Sequence, residues 1–271
     1  MRRIPLAALL GLLITGLFFA AAILAPVIAP YGPSEIVGDV WEPASAEHLL
    51  GTDNIGRDLL TRLIYGGRTT IFVATLATAI SFVTGTFLGL TAATVGGWVD
   101  QVMSRCVDVL MAIPPLIFAL VILSVMPVTM PVLIIVIGLL EATRVYRLSR
   151  SVAVDIAVMD YVEAARLRGE GRMWIVFREI LPNALSPLVA EMGLRFIFIV
   201  LFVSTLSFLG LGVQPPAADW GGIVKENKDG IVYGIGAALW PAVAIAALAI
   251  SVNLIADWVL SRTSSLKGGR G

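Results

Sequence analysis

Few side chains in this sequence are equipped for covalent or metal chemistry. His48 is the only histidine and Cys106 the only cysteine in 271 residues. No Cys/His ligand cluster or internal disulfide can therefore be assembled, and His48, in a polar segment outside the apolar runs, reads as a surface residue. None of the three lysines, Lys225, Lys228 and Lys267, is followed by serine or threonine, so the phosphate-cradling G-x-x-x-x-G-K-[ST] loop is missing and no ATP or other cofactor site is expected in the chain. What remains are charges set in apolar surroundings. Glu141, Arg144 and Arg147 interrupt one hydrophobic stretch, and Glu191 and Arg195 stand four apart in another. Their chemistry is ion pairing or contact with a polar solute. A charge facing lipid is costly, so Glu191 and Arg195 are expected at a helix interface or along a water-filled pathway.

The elements that must position these groups are membrane helices. Hydrophobic residues make up 58% of the chain and charged residues 14%, against about half and about a quarter in ordinary soluble domains. A bilayer absorbs such an excess as runs of about 20 apolar residues whose helices satisfy their own backbone. Six runs are found, over 6–29, 71–95, 109–125, 131–140, 188–213 and 237–260. The first is too long for the apolar region of a cleaved signal peptide and reads as a retained span. Gly85 and Gly89 in the second form a G-x-x-x-G pair that would let another helix approach closely. Pro114 and Pro115 are expected to bend the third or mark its true start. The fourth is short, and Glu191 and Arg195 lie near the start of the fifth.

Charge placement sets the count. With six spans and both termini in the cytoplasm, the inside segments hold 13 basic residues: Arg2, Arg3, Arg105, Arg144, Arg147, Arg150, Arg166, Arg168, Arg172, Arg178, Arg262, Lys267 and Arg270. The outside segments hold five, Arg57, Arg62, Arg68, Lys225 and Lys228, and Arg195 lies within a span. This arrangement obeys the positive-inside rule, and omitting the fourth span would export the arginines from Arg144 to Arg178.

Two connecting segments are too particular to be simple linkers. In 51–68, Ile55, Leu59, Leu60, Leu63 and Ile64 share one helical face opposite Arg57, Asp58 and Arg62. The pattern predicts a short amphipathic helix, capped by Thr52 or Asp53, carrying an Asp58–Arg62 pair and ended by Gly66 and Gly67. It either lies on the membrane or its neighbours, or meets an extracytoplasmic partner. In 155–187, good helix formers reach Arg168, Gly169 and Gly171 allow a sharp turn, and a second amphipathic piece leads to Pro182. The small side chains of Ala164 and Ala165 leave room for a partner surface, with Glu163 and the arginines as orienting charges. By its charge alone this elbow is equally a face for anionic lipid.

The elbow's pattern, Glu163-Ala164-Ala165, three residues, Gly169, ten residues, Ile180-Leu181-Pro182, resembles the "EAA" loop of membrane subunits of bacterial ATP-binding cassette importers. LGTDNIGRDLLTRLIYGGR over 50–68 resembles the corresponding run of the C-type permease subunit of dipeptide and oligopeptide transporters, through Gly51, Thr52, Asp53, Gly56, Arg57, Asp58, Arg62, Tyr65, Gly66 and Arg68. Thr61 departs from the serine expected there. The stretch 206–216 with Trp220-Gly221 resembles that family's run at the outer end of span five.

The resemblance implies an all-α integral membrane protein, a type I ABC importer transmembrane domain of six transmembrane helices with a cytoplasmic coupling helix. It would comprise an N-terminal part, 1–68, and a permease core, 69–271. Tyr161, Glu163, Ala164, Ala165, Arg166, Arg168, Gly169, Ile180, Leu181 and Pro182 would dock a separate ATPase. The implied partners are a related permease subunit, two ATPase subunits or domains, an extracytoplasmic binding protein and a di- or oligopeptide, with nickel chelates or glutathione as alternative cargo and no nucleic acid. The implied location is a prokaryotic inner membrane, and the chain would be no enzyme. A secondary transporter would show paired broken helices or an acidic relay, and an intramembrane enzyme a membrane-depth histidine with serine or paired metal ligands; neither is evident.

Overall fold

The computed structural model describes residues 5–267, with the side chains of 262–267 excepted. Among the described residues there are ten α-helices and no strand: α1 (Leu6–Ile28), α2 (Leu59–Val95), α3 (Gly97–Ala112), α4 (Pro115–Val125), α5 (Met130–Ala157), α6 (Asp160–Leu167), α7 (Arg172–Ile175), α8 (Leu181–Leu209), α9 (Trp220–Asn227) and α10 (Leu239–Lys267). Arg2, Arg3 and Arg270, which entered the charge count, lie outside the described residues, as do the side chains of Arg262 and Lys267.

Four helices are long and apolar enough to cross a membrane: α1, α2, the run Arg172–Leu209 that contains α8, and α10. The pair α3 and α4 passes the same test as a unit, yet turns through 85° at its break. The third run is therefore no straight span. Pro114 and Pro115 end one helix and begin the next, leaving 11 residues in α4, about 16 Å of rise. The short fourth run is part of a continuous 28-residue helix, α5, about 42 Å long. From Glu141 onward it carries Arg144, Arg147, Arg150 and Asp155 as well, which is why composition alone does not mark it as a span. Helix α8 begins seven residues before the fifth run, so Arg195 is the fifteenth of its 29 residues. The two charges expected near a helix start sit at its middle.

The expected amphipathic helix over 51–68 is corrected as well. The backbone of 51–58 is an irregular loop. Gly51 and Gly56 adopt φ of 79° and 83°, a left-handed conformation unsuited to other residues. The Asp53 side chain accepts from the N–H groups of Ile55 and Arg57, both at 3.0 Å, and so competes with helical pairing. The helix starts only at Leu59, capped by Asp58, whose carboxylate accepts from the Thr61 N–H at 2.7 Å. Gly66 and Gly67 do not end it. They lie inside α2, where a Cβ on Gly67 would come within 2.8 Å of the Trp220 ring. Residue 68 is thus internal to one 37-residue helix.

Helices α2 and α5 form the closest seam of the bundle. A Cβ on Gly85 would sit 2.6 Å from the Ala142 carbonyl oxygen, and one on Gly89 2.6 Å from that of Tyr146 and 2.9 Å from the Arg150 nitrogen. The G-x-x-x-G pair brings two backbones into contact, as its spacing suggested. Helix α1 rests on α10, where Thr15 donates to the Ser251 hydroxyl at 2.9 Å. The apolar core is in two parts. The larger, with Leu59, Val73, Leu133, Val203 and Trp220, fills the bundle from its middle towards α9. The smaller, with Leu90, Ile156, Val162, Ala165, Ile180 and Leu188, lies under the elbow. Gly89→Val has no space beside α5 and is expected to lower stability by about 1–3 kcal/mol. Gly16→Ala, whose Cβ meets nothing within 4 Å, is expected to leave it unchanged or slightly raised. Thermal midpoints of the detergent-solubilised variants compare the two.

Candidate functional site

The elbow begins where α5 stops. Helix α6 carries Asp160 and Glu163 in its first turn and Arg166 in its last, placing charge of each sign at the end of the helix dipole that favours it. Gly169, at φ 83°, then closes α6. Its N–H donates to the Arg166 carbonyl at 3.0 Å, and that of Glu170 to the Ala165 carbonyl at 3.2 Å. These two bonds satisfy carbonyls the helix would otherwise leave open. Helix α7 follows and passes through a π-helical turn, Val176–Ile180, into α8. The π turn stands immediately before Pro182, whose ring would clash with the preceding turn of a tighter helix. Arg168 reaches back to Glu179 at 3.8 Å, an exposed pair worth little by itself.

The two faces of α6 divide sharply. Val162 and Ala165 are fully buried against Ile156, Ile175, Val176 and Ile180. Ala165 therefore does not present itself to a partner, and its small size serves the elbow's own packing; Ala164 is the exposed alanine. Tyr161, Glu163, Arg166 and Arg168 are also exposed, as is Pro182, while Leu181 is half-buried. The exposed face is more apolar than its arginines suggest. Leu167 is 83% exposed and Val158 76%, with Met159 and Tyr161 beside them. Sequence reasoning passed over Val158, Met159 and Leu167. Val158 and Met159 precede α6 and Leu167 closes it, so no single helical periodicity marks them.

Midway along the bundle, Arg195 of α8 joins two carboxylates. Its Nη1 donates to Glu141 Oε2 of α5 at 3.1 Å, and its Nε lies 2.7 Å from Glu191 Oε1. Glu141 and Arg195 are buried, and the Phe198 ring lies under the guanidinium, 4.7 Å from its centroid. The expected Glu191–Arg195 pairing is present, with Glu141 as a third member from another helix. Arg147 reaches Asp108 at 2.7 Å and Arg150 pairs with Asp100, so α3 is held to the charged half of α5.

The motif residues of 51–68 build a polar clasp at the end of the bundle opposite the elbow. Asp53 Oδ2 lies 2.6 Å from Arg57 Nε and 3.6 Å from Arg62 Nε. Both guanidiniums also reach Glu226 Oε2 of α9. Arg62 thus pairs with Asp53 and Glu226, not with Asp58. Asp58 is taken instead by His48, whose Nδ1 lies 3.2 Å from Oδ1. His48 is 5% exposed, so the surface reading is corrected: a buried N-cap carboxylate needs a second partner. Asn227 Oδ1 accepts from Trp41 Nε1 at 3.2 Å and from the Asn54 N–H at 3.0 Å. Trp220 donates from its ring to the Leu63 carbonyl at 2.9 Å. Gly51, Thr52 and Gly56 are buried in the turn, Gly66 lies against α9, Tyr65 is half-buried and Arg68 exposed. Together the loop, the start of α2 and α9 form one rigid piece. No group of three or more His, Cys, Asp or Glu suited to a metal is found among the described residues.

A helical bundle with several membrane-crossing segments, a fixed clasp at one end and an exposed elbow at the other is a polytopic membrane component. Residues 85–265 match the family described as "Binding-protein-dependent transport system inner membrane component", and the chain belongs to that family. Over 92% of its length it is 36% identical to a putative peptide transport system permease protein of Brucella suis biovar 1, covering 84% of that protein. It is 35% identical to a di/tripeptide transport system permease protein of Pseudomonas aeruginosa, over 92% of this chain and 85% of the relative. A glutathione transport system permease protein of Pectobacterium atrosepticum is 32% identical over 80% of this chain and 72% of its own.

Asp219, the residue before α9, is fully buried. Burial pushes its carboxyl up from 3.8 to about 6, while the Ser207 hydroxyl and the N–H groups of Gly221 and Gly222 pull the other way. An acid whose folded pKa exceeds its unfolded one supports the fold fully only below the unfolded value, near pH 4, and that support is lost as pH rises through 6. A displacement of about two pH units corresponds to about 3 kcal/mol. Asp219→Asn is therefore expected to gain on the unsubstituted protein by about that amount at pH 8 and by nothing at pH 4. Denaturant melts followed by tryptophan fluorescence at both pH values measure the difference; an equal offset at each would contradict the assignment.

Proposed function

We propose that this chain is the transmembrane permease subunit of an ATP-driven importer, working through the elbow as the docking surface for a separate ATPase. The observation that carries this reading is the exposed apolar face of α6. Leu167 is 83% exposed at the end of α6, and Val158, Met159 and Tyr161 are exposed around its start; all lie beyond the apolar spans, where they have no lipid tails to face. Several large apolar side chains left in water at both ends of one short helix mark a protein contact. Anionic lipid, the reading left open by the elbow's charge, would favour the arginines but gains little from Leu167 and Val158 at headgroup depth.

In this proposal α5, with α1, α2, the bent pair α3–α4, α8 and α10, makes six crossings with both termini in the cytoplasm, which puts the elbow inside and the clasp outside. The chain itself carries no catalytic or cofactor site. ATP is bound and hydrolysed by two partner subunits or domains, a related permease subunit completes the pathway, and an extracytoplasmic binding protein delivers the solute near the clasp. The cargo is a di- or oligopeptide, supported by the relatives of Brucella and Pseudomonas named for peptide transport; the glutathione relative marks the neighbouring alternative. A secondary transporter, the competing class, has no use for an exposed elbow. Nucleotide-driven closure of the ATPases would move the elbow, and with it α8, in a rigid-body exchange of access.

Leu167→Glu, at a position buried by nothing in the chain, leaves insertion intact. It is expected to weaken ATPase docking about ten-fold, about 1.4 kcal/mol, with a matching loss of uptake. Co-purification and solute uptake in proteoliposomes measure both, and normal values for this variant would contradict the docking role.

A further inference from the structure

Two adjoining hollows run along one face of α8. The one nearer the clasp, of about 300 Å³, is bordered by Leu201, Thr205, Phe208 and Val224. The one at mid-bundle, of about 260 Å³, is bordered by Glu141, Arg144, Phe198, Leu201 and Thr205. They share Leu201 and Thr205. Phe198, Leu201, Thr205 and Phe208 follow one another at spacings of three, four and three, a single stripe on the helix, and all four are exposed.

Glu141 and Arg144 border the inner hollow, and the charged cluster they belong to continues behind it in Arg195 and Glu191. Its formal charges cancel, two acids against Arg144 and Arg195, but their exposure does not. The side chains of Glu141 and Arg195 are 8% and 9% exposed, Glu191 24%, and Arg144 43%. Glu141 Oε2 is already engaged by Arg195 at 3.1 Å, and Arg144 Nε stands 3.9 Å away from it, beyond hydrogen-bond distance. The hollow therefore presents an unspent guanidinium beside a half-exposed phenylalanine ring that Arg195 holds from behind. A lipid tail gains nothing from this pairing, and an arginine opened to hydrocarbon at this depth is strongly disfavoured. Water and a passing solute are the environment that suits it.

We infer that this stripe of α8 lines the translocation pathway, and that Arg144 with Phe198 forms a subsite midway along it for a carboxylate flanked by an apolar group. Arg144 receives the carboxylate through its planar donors, and Phe198 and Leu201 take the neighbouring side chain. For a peptide the carboxylate is the C-terminus. This inference rests on the importer reading and adds the route and the contact within it.

The test uses the complete transporter with its binding protein in proteoliposomes, in a Cys106→Ser background. Single cysteines replace Phe198 and Thr205 on the stripe, and Leu17 and Ile250 on exposed faces of α1 and α10. A water-soluble thiol reagent is expected to modify positions 198 and 205 at least an order of magnitude faster than 17 and 250, and saturating peptide is expected to slow 198 several-fold. In the same system Arg144→Gln is expected to abolish the preference for a peptide over its C-terminal amide at saturating binding protein, while ATPase stimulation persists. Modification of 198 and 205 as slow as of 17 and 250 would overturn the pathway assignment, placing the stripe against lipid or a neighbouring helix. A preference unchanged in Arg144→Gln would overturn the subsite. Failure of the importer reading shows separately, as absence of ATP-driven uptake by the unsubstituted transporter.

Discussion

The bond from Arg195 to Glu141 governs how the rest of this bundle can behave. It joins the fifteenth of 29 residues in α8 to the twelfth of 28 in α5, at a depth where neither charge could be left alone. Losing Arg195 would strand the buried Glu141, a penalty of about 3–5 kcal/mol. The two helices therefore cannot slide or part at their midpoints without severe loss. The same two helices are joined at one end by the elbow, since α5 leads into α6 and α7 runs through the π turn into α8. Helices, elbow and ion pair make a triangle braced at its middle. A force on the elbow is delivered to mid-bundle as a movement of the whole hairpin.

The other contacts divide the remaining work. The glycine seam fixes α2 against α5 at backbone contact, so α2 belongs to the same braced unit. The polar clasp holds the far end of α2 to α9 through Arg57, Arg62 and Glu226. Such a buried network adds little net stability but admits only one arrangement of its members. The elbow is the opposite case. It is held by a modest apolar cluster and a left-handed glycine, and its outer face is unpartnered. A molecule with one rigid end, a braced middle and an open handle has its adaptable surface where an external engine would engage it.

Much of this was legible in the sequence wherever the signal is local. The uniformly apolar runs of α1, α2 and α10 announced themselves by length, Glu191 and Arg195 by their spacing of four, Gly85 and Gly89 by theirs, and the turn at Gly169 by the residue's freedom at positive φ. What stayed hidden depends on partners distant in the chain. Glu141 meets Arg195 across 54 positions and Arg62 meets Glu226 across 164, and no periodicity reports either. The segment 51–68 misled because its apolar residues do fall on one helical face, while Asp53 diverts the Ile55 and Arg57 N–H groups from helical pairing and the helix starts only at the Asp58 cap. Helix α5 was half concealed because Glu141, Arg147 and Arg150 are paired with neighbouring helices, and hydropathy counts charge without counting pairing. Ala165 was misassigned because a small residue leaves room equally for a partner or for its own core.

The braced hairpin is tested most directly by the distance between spin labels at Ala164 on the elbow and Thr205 on α8, in lipid nanodiscs carrying the assembled transporter. A braced hairpin gives one narrow distribution whose mean is the same without nucleotide and with ATP and vanadate, and which broadens when Arg195 is replaced by glutamine. A mean that shifts by about a helical turn, roughly 5 Å, in the unsubstituted protein would contradict it.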